Sequence, residues 1–273
     1  MADFLARRER FTVVGSTNDV VRGWLADGTP EVCLAVADEQ TAGRGREGRT
    51  WQAPAGAALL LSVGFRPAWL APAEVWRLAA AVSLAMAEAA EAIVELPDAT
   101  IRLKWPNDLV IEGDDGVRKV AGVLGETAGL GGPDPRAVIG LGLNTDWAAS
   151  DFPPELAATM TSLREASPRS PVDHDGLHDR FLARLESRIE GLREGRFDET
   201  EWAERQVTTG RDIDLVAPDG AVTTARAVGV DGGTGALIVA DGHAPNGERH
   251  VVVGEIRHVR LAGGTPAPAR AGV

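Results

Sequence analysis

Between Ile101 and Asn144 the chain strings together four β-type runs, Ile101 to Trp105, Asp108 to Glu112, Arg118 to Thr127 and Ala137 to Asn144. The segments that separate the later runs, Gly113-Asp114-Asp115-Gly116 and Gly129 to Pro135, carry hairpin turn chemistry and no helical crossover. A sheet built this way is antiparallel or mixed. Further β-type runs lie at Val32 to Asp38 and Ala57 to Phe65. Helical spacing runs from Glu74 to Ile93 through Val75, Leu78, Ala79, Val82, Ala85, Met86 and Ala89, and stops before Pro97. A shorter helix opens at Ser16-Thr17-Asn18 and ends at Asp27-Gly28. Others are expected over Pro154 to Met160, His174 to Arg193 and Asp198 to Arg205. The expected class is α+β, a central mixed β-sheet with flanking helices on one side.

After Val207 the texture changes. Short β-type runs, Ile213 to Ala217, Ala221 to Val230, Ala236 to Ala240, Glu248 to Val253 and Ile256 to Leu261, alternate with Gly and Asp turns, and no helical period survives. A small five-stranded β-barrel is the economical reading. With 273 residues the chain exceeds what a single core comfortably fills. We expect a main domain over 1–206, a small barrel over 207–263 and a disordered tail over 264–273.

Charge narrows the function. A formal net charge of -12 opposes nucleic-acid binding, which rests on neutralising many phosphates. No apolar stretch is long enough to span a membrane, and Arg7, Arg8 and Arg10 are followed by no secretory apolar core. The single cysteine, Cys33, excludes disulfides and cysteine metal clusters, which together point to the cytoplasm. Against this acidic background, Gly43-Arg44-Gly45-Arg46-Glu47-Gly48-Arg49-Thr50-Trp51 places three arginines and three glycines in nine residues. Glycine lets backbone approach a ligand, and guanidinium forks fit phosphate or carboxylate oxygens. The run is either an anion-binding loop or a mobile, solvated surface loop.

Four other constellations bear on that choice. In Lys104-Trp105-Pro106-Asn107-Asp108 a rigid turn brings a lysine near a carboxylate, which suits polyphosphate and Mg²⁺ or is a hairpin with an incidental ion pair. Lys119-Val120-Ala121-Gly122 sets an ammonium in an apolar strand, at a pocket mouth or facing solvent. Gly140-Leu141-Gly142-Leu143-Asn144 leaves one sheet face as bare backbone, open to a flat ligand or to tight packing. Ser16-Thr17-Asn18 with Gln40 offers neutral donors and acceptors, or simply caps a helix.

Taken in order and spacing, Ser16-Thr17-Asn18, Gln40 with the Arg/Gly run to Trp51, Lys104 to Asp108, Lys119-x-Ala121-Gly122-x-Leu124 and Gly140-x-Gly142-x-Asn144 resemble biotin protein ligase. The resemblance covers about Phe11 to Leu261. It implies a class II synthetase-like catalytic domain with a small SH3-like C-terminal barrel. It also implies a two-step reaction, in which biotin and MgATP give biotinyl-5′-AMP and a carrier lysine then displaces AMP. Two anions must meet in the first step, so cations lower its barrier. Lys119, Arg46, Arg44 and Lys104 are the implied catalytic groups.

By the same resemblance, biotin is held by Ser16, Thr17, Asn18, Gln40, Gly43, Arg44, Gly45, Arg46, Lys119 and Gly122. The nucleotide is held by Arg44, Arg46, Arg49, Trp51, Lys104, Asn107 and Asn144, and Mg²⁺ by Asp108. The implied partner is the biotin carboxyl carrier domain of an acyl-CoA carboxylase, with the enzyme a monomer or a homodimer. The Arg/Gly loop is expected to be poorly ordered without ligand and to close over the adenylate. No helix-turn-helix is expected before Ser16, which argues against a repressor. Arg257 or Arg260 is implied to approach the nucleotide. Two other readings stay open: a lipoate ligase, although no Arg-Arg-x-Ser-Gly-Gly-Gly-like stretch is present, and a non-catalytic biotin-binding module.

Overall fold

The alternation of buried and exposed residues sorts the strands before any pairing is considered. In the run beginning at Cys33, Leu34 and Val36 join one hydrophobic cluster while Cys33 and Ala35 join another. Such a strand is covered on both faces. The computed structural model describes residues 4–96, 99–113, 116–167 and 171–252, and the backbone of 258–261. Its larger sheet is built from β1 (Arg7–Val14), β2 (Cys33–Gln40), β3 (Ala58–Phe65), β4 (Ala99–Lys104), β5 (Asp108–Gly113), β6 (Gly116–Ala128) and β7 (Arg136–Asn144). Their order is β1-β2-β3-β7-β6-β5-β4. β1 is parallel to β2, and the other neighbours are antiparallel, so the sheet is mixed as expected.

The helices are α1 (Thr17–Ala26), α2 (Trp76–Ile93), α3 (Pro154–Ala157), α4 (Leu163–Ala166), α5 (His174–Arg193) and α6 (Glu199–Glu204). On one face of the sheet, Leu61, Val63, Ile139, Leu141 and Leu143 pack beneath α2 and α5 in one cluster. Helix α2 is Ala-rich and buried nearly all round because it lies between the sheet and α5. Burial of side chains such as Phe181, Leu185 and Ile189, each fully enclosed, stabilises this layer by about 1.5–3 kcal/mol apiece.

The expectation of helices on one side is corrected here. Helix α1 covers the opposite face, where Val21, Trp24 and Leu25 meet Cys33, Ala35 and Val138. The helix expected over Pro154 to Met160 is also shorter, ending at Ala157. Beyond it the backbone leaves the helix to pair with Lys119, which donates its N–H to Thr159 O (2.8 Å) and accepts from Thr161 N (2.8 Å).

The C-terminal segment forms a second, five-stranded antiparallel sheet of β8 (Asp212–Val216), β9 (Val222–Val230), β10 (Leu237–Ala240), β11 (Glu248–Val251) and β12 (His258–Leu261). Its order is β11-β10-β9-β8-β12, consistent with a small SH3-like unit. Trp105, in the turn between β4 and β5, is 2% exposed and belongs to this sheet's core with Ile213, Leu215 and Leu237. Its indole N–H donates to Gly235 O at 2.9 Å. The Lys104–Asp108 turn is therefore anchored from behind by the second sheet. Arg257 and the tail over 264–273 lie outside the described residues, as do Pro97, Asp114 and Asp115.

Candidate active site

Helix α1 covers only the β1-β2-β3-β7 part of its face. The rest of that face, over β7, β6, β5 and β4, opens into a cavity of about 670 Å³. Register decides which side chains reach it. One cross-strand row runs Lys104, Asp108, Gly122, Gly142 and Leu60 through β4, β5, β6, β7 and β3. The next row aligns Leu124, Gly140 and Ser62. Lys119 and Gly122 are three residues apart and would face opposite ways in a regular strand. A bulge pairs Leu109 with Ala121 but Val110 with Lys119, so Val120 is the extra residue. Val120 and Ala121 thereby both enter the core, and Lys119 and Gly122 both line the cavity.

At the α1 end the groups are neutral. Ser16 is the N-cap, but its hydroxyl makes no capping bond; it is 4% exposed and lines the cavity. The Thr17 N–H donates to Gln40 Oε1 at 2.8 Å, and Thr17 Oγ1 lies 3.0 Å from the same oxygen. Ser62 Oγ sits 2.7 Å from Thr17 Oγ1 and 2.6 Å from Asn18 Oδ1. Ser62 has one proton and the amide oxygen only accepts, so that proton goes to Asn18. Asn18 Nδ2 in turn donates to Glu126 Oε2 at 2.8 Å. The Asn18 amide is thus fixed at both ends. A Cβ at Gly140 would stand 2.1 Å from its oxygen, which is why glycine is required there.

The opposite end is cationic. Lys119 Nζ lies 2.6 Å from Asp108 Oδ1, and Lys104 Nζ lies 3.6 Å from Asp108 Oδ2. Lys104 and Asp108 have side chains only 13% and 12% exposed, so this is no incidental surface pair. Burial pushes the Lys104 ammonium below its ordinary range, with Asp108 opposing. Arg46 lines the same end, its guanidinium also lowered chiefly by burial. Among the described residues the side chains of Arg46 and Arg49 make no hydrogen bond or ion pair. Four cations therefore line this end of the cavity, the lysines paired with Asp108 and Arg46 facing Glu47 and Asp108, which leaves positive charge for an anion.

The Arg/Gly run leaves β2 and folds back on itself. Gly45 N donates to Arg49 O (2.7 Å), Trp51 N to Gly43 O (2.9 Å), and Arg44 bridges Thr50. A Cβ on Gly43 would meet Trp51 O at 2.5 Å, so Gly43 serves close backbone approach and does not line the cavity. Trp51 lays its indole over Gly142, and Lys119 Nζ sits 5.5 Å from the ring centroid. The bare face that the sequence offered at Gly140 and Gly142 is thus occupied by the Asn18 amide and the Trp51 ring. The Trp51 Nε1 is buried against the Gly142 backbone without a hydrogen-bond partner.

Asn107 and Arg44 line the cavity with their side chains engaged by protein partners, whereas Asn144 lies behind it. Asn144 is fully buried, donates to Thr161 O at 3.0 Å and is not among the residues lining the cavity; it braces the 159–161 segment. The Asn107 amide donates to Val123 O at 2.8 Å, which holds the turn against β6. Arg44 is taken up by Asp19, at 2.7 and 2.8 Å, and faces Glu126. Of Arg260 only the strand backbone is described. Ser62, Asp19 and Glu126 belong to no sequence motif, and neither does the stacked pair Trp147 and Phe152 (4.6 Å, 18°) in the cavity wall. Only Trp147-x₄-Phe152 spacing in a loop signalled the last.

No group of three or more His, Cys, Asp or Glu side chains converges among the described residues. Among the described residues Asp108 is the carboxylate paired with both lysines. That donor set fits a Mg²⁺ ion arriving on a nucleotide, since such an ion takes one or two carboxylates and completes its shell with phosphate oxygens and water.

A family model described as the biotin/lipoate A/B protein ligase family matches residues 11–144. The biotin--[acetyl-CoA-carboxylase] ligase of Mycobacterium tuberculosis is 34% identical over 209 residues, covering 76% of this chain and 73% of that protein. The bifunctional ligase/repressor BirA of Bacillus subtilis is 31% identical over 176 residues, or 64% of this chain and 51% of its own length, so the chain matches about half of that relative. Among solved structures, the biotin protein ligase from Aquifex aeolicus in complex with biotin and ATP superposes with a TM-score of 0.75 at 24% identity, over 94% of this chain and 99% of that one. At that identity the likeness shows the fold.

Proposed function

Because this chain belongs to the biotin protein ligase family, we propose that it joins biotin to a carrier lysine in two steps, as an AMP-forming ligase. A biotin carboxylate oxygen attacks the α-phosphorus of ATP, the bond to pyrophosphate breaks, and biotinyl-5′-AMP forms. The carrier amine then attacks the acyl carbon, AMP leaves, and the amine loses its proton as the amide forms. The gathering of Arg46, Arg49, Lys104 and Lys119 in one cavity wall, with Asp108 between the two lysines, carries this reading. Such a cluster screens the mutual repulsion of carboxylate and triphosphate and is already oriented before reaction.

Lys119 beside Gly122 is the group placed for the meeting point, where a Cβ at 122 would crowd its Nζ at 3.1 Å. Ser16, Thr17, Asn18 and Gln40 supply the neutral pattern that a ureido ring needs, while Trp51 and the Trp147–Phe152 stack offer flat apolar walls. Asp108 would hold Mg²⁺, whose charge neutralises phosphate oxygens when bound. We assign residues 1–206 to biotin and ATP, and 207–263 to the accessory barrel. The acceptor is a biotin carboxyl carrier domain of an acyl-CoA carboxylase, and the reaction belongs to the cytoplasm. No helix among the described residues is long and apolar enough to cross a membrane.

The test is to incubate the protein with biotin, MgATP and a purified carrier domain, measuring pyrophosphate and the mass of the carrier lysine. Biotin-dependent pyrophosphate and a biotinylated carrier are expected. Lipoate-dependent release would instead select the lipoate ligase reading. Biotin binding with neither product would leave a binding module.

A further inference from the structure

Arg44 holds the first guanidinium of the Arg/Gly run, yet it does not join the cation cluster. Its Nη1 and Nη2 donate to both oxygens of Asp19 at 2.8 and 2.7 Å, and Nη2 lies 3.4 and 3.5 Å from the two oxygens of Glu126. Glu126 also accepts from Asn18 Nδ2, and Arg22 stands 2.5 Å from Asp19 and 3.7 Å from Glu126. Two carboxylates balance two guanidiniums here, so no net charge remains to attract a phosphate. The hydrogen bonds from Arg44 hold the Asp19 carboxyl below its usual range.

The backbone around Arg44 is fixed as well. Thr41 N donates to Val14 O (2.9 Å), Ala42 N to Gly15 O (2.8 Å) and Trp51 N to Gly43 O (2.9 Å). What projects beyond this stem is the segment 45–49, with Arg46 and Arg49.

We propose that Asp19 and Glu126 are positioning residues that clamp Arg44 to the helix bearing Asn18, making Arg44 the hinge of the loop and leaving phosphate contact to Arg46 and Arg49. Glu126 thereby couples the neutral end of the cavity to the loop, because the same carboxylate orients the Asn18 amide and holds Arg44. The inference rests on the adenylate-forming reading of this cavity.

Asp19→Asn, Glu126→Gln and Arg44→Gln, with the double variant Arg44→Gln/Glu126→Gln, test it through amide exchange of the ligand-free protein and adenylation kinetics. The clamp predicts that each single variant speeds exchange over 41–44 and 50–51 about fivefold, the worth of a charge-assisted pair at this exposure. KM for biotin rises by a similar factor while kcat changes less. The double variant is no worse than Arg44→Gln alone, because the partners act as a unit. Arg44→Lys, which keeps charge and loses the fork, shows the same stem opening at an unchanged melting temperature. The proposal is overturned if Arg44→Gln lowers kcat and raises KM for ATP while the carboxylate variants leave exchange and KM unaltered. Should the wild-type protein form no adenylate, the functional reading fails, and the exchange measurements still decide whether the clamp exists.

Discussion

Adding a single methyl group at Gly142 probes how the loop meets the sheet. A Cβ there would lie 2.6 Å from Cε2 and Nε1 of Trp51 and 2.9 Å from its Cζ2. Favourable carbon contacts begin near ~3.5 Å, so the indole has to retreat by roughly 1 Å. The backbone cannot follow, because Trp51 N is bonded to Gly43 O and Gly43 already sits against Trp51 O. The ring therefore swings into the cavity, toward Lys119. Overpacking of this kind costs about 1–3 kcal/mol, and for a domain of this size each kcal/mol lowers the melting temperature by about 2–4 °C. We expect Gly142→Ala to lose about 4–8 °C and to raise KM for biotin or ATP by about tenfold, since ~1.4 kcal/mol of displaced binding is one decade. The control is Gly125→Ala, where the new Cβ meets only Ile139 Cδ1 at 3.4 Å, so little change is expected. The decisive measurement is thermal unfolding of Gly142→Ala in a Trp51→Ala background. The penalty should vanish there; an equal penalty with and without the indole would refute the argument that Trp51 is what glycine accommodates.

Lys119→Ala is expected to retain its fold but to lose adenylate formation by about 10²–10³-fold, the usual effect of removing one preorganised charge from a transition state; biotin-dependent pyrophosphate release at wild-type rate would contradict the role. Residues 45–49, beyond the fixed stem, should exchange amide protons more slowly once biotin and ATP are both added, and a tip equally protected in the free protein would show that it does not close. Burial, aided by Arg8, holds the His178 imidazole below its ordinary value of 6.5. The unfolded chain then binds a proton below pH 6.5 that the folded one refuses, so stability falls as the pH drops from that value toward the folded-state pKa. His178→Gln should flatten that part of a denaturation profile, and an unchanged slope would remove the linkage.

What could be read from the sequence was local. The hairpins from β4 to β7 were legible because turn residues sit between apolar runs, and the C-terminal strands for the same reason. β1 was not, because Arg7, Arg8, Glu9 and Arg10 lie on an edge strand whose residues are largely exposed. It satisfies its backbone on β2 without an apolar pattern to announce it. The contiguous motifs of the site were likewise visible, whereas Ser62, Asp19 and Glu126 were not. Ser62 matters because it is paired across the sheet with Gly140 and so lies beneath Asn18. Glu126 matters because β6 carries it to α1. Nothing within a few residues of either position encodes that meeting.

The reach of such register effects is clearest at Lys119. The motif spacing places it three residues before Gly122, and strand alternation alone would bury one of the two in the hydrophobic layer under α2. The bulge at Val120 resolves this by putting two consecutive apolar residues, Val120 and Ala121, into the core, where both are fully buried. The apolar layer is thus continuous on the α2 side while charge accumulates on the other. That separation lets a half-buried lysine sit beside Asp108 without opening the core, because the pair faces the cavity. It also explains why a lysine in an apolar strand looked ambiguous. Its side is set by one unpaired residue in the ladder, and a single sequence contains the apolar pair that produces the bulge but not the partner strand that makes it one.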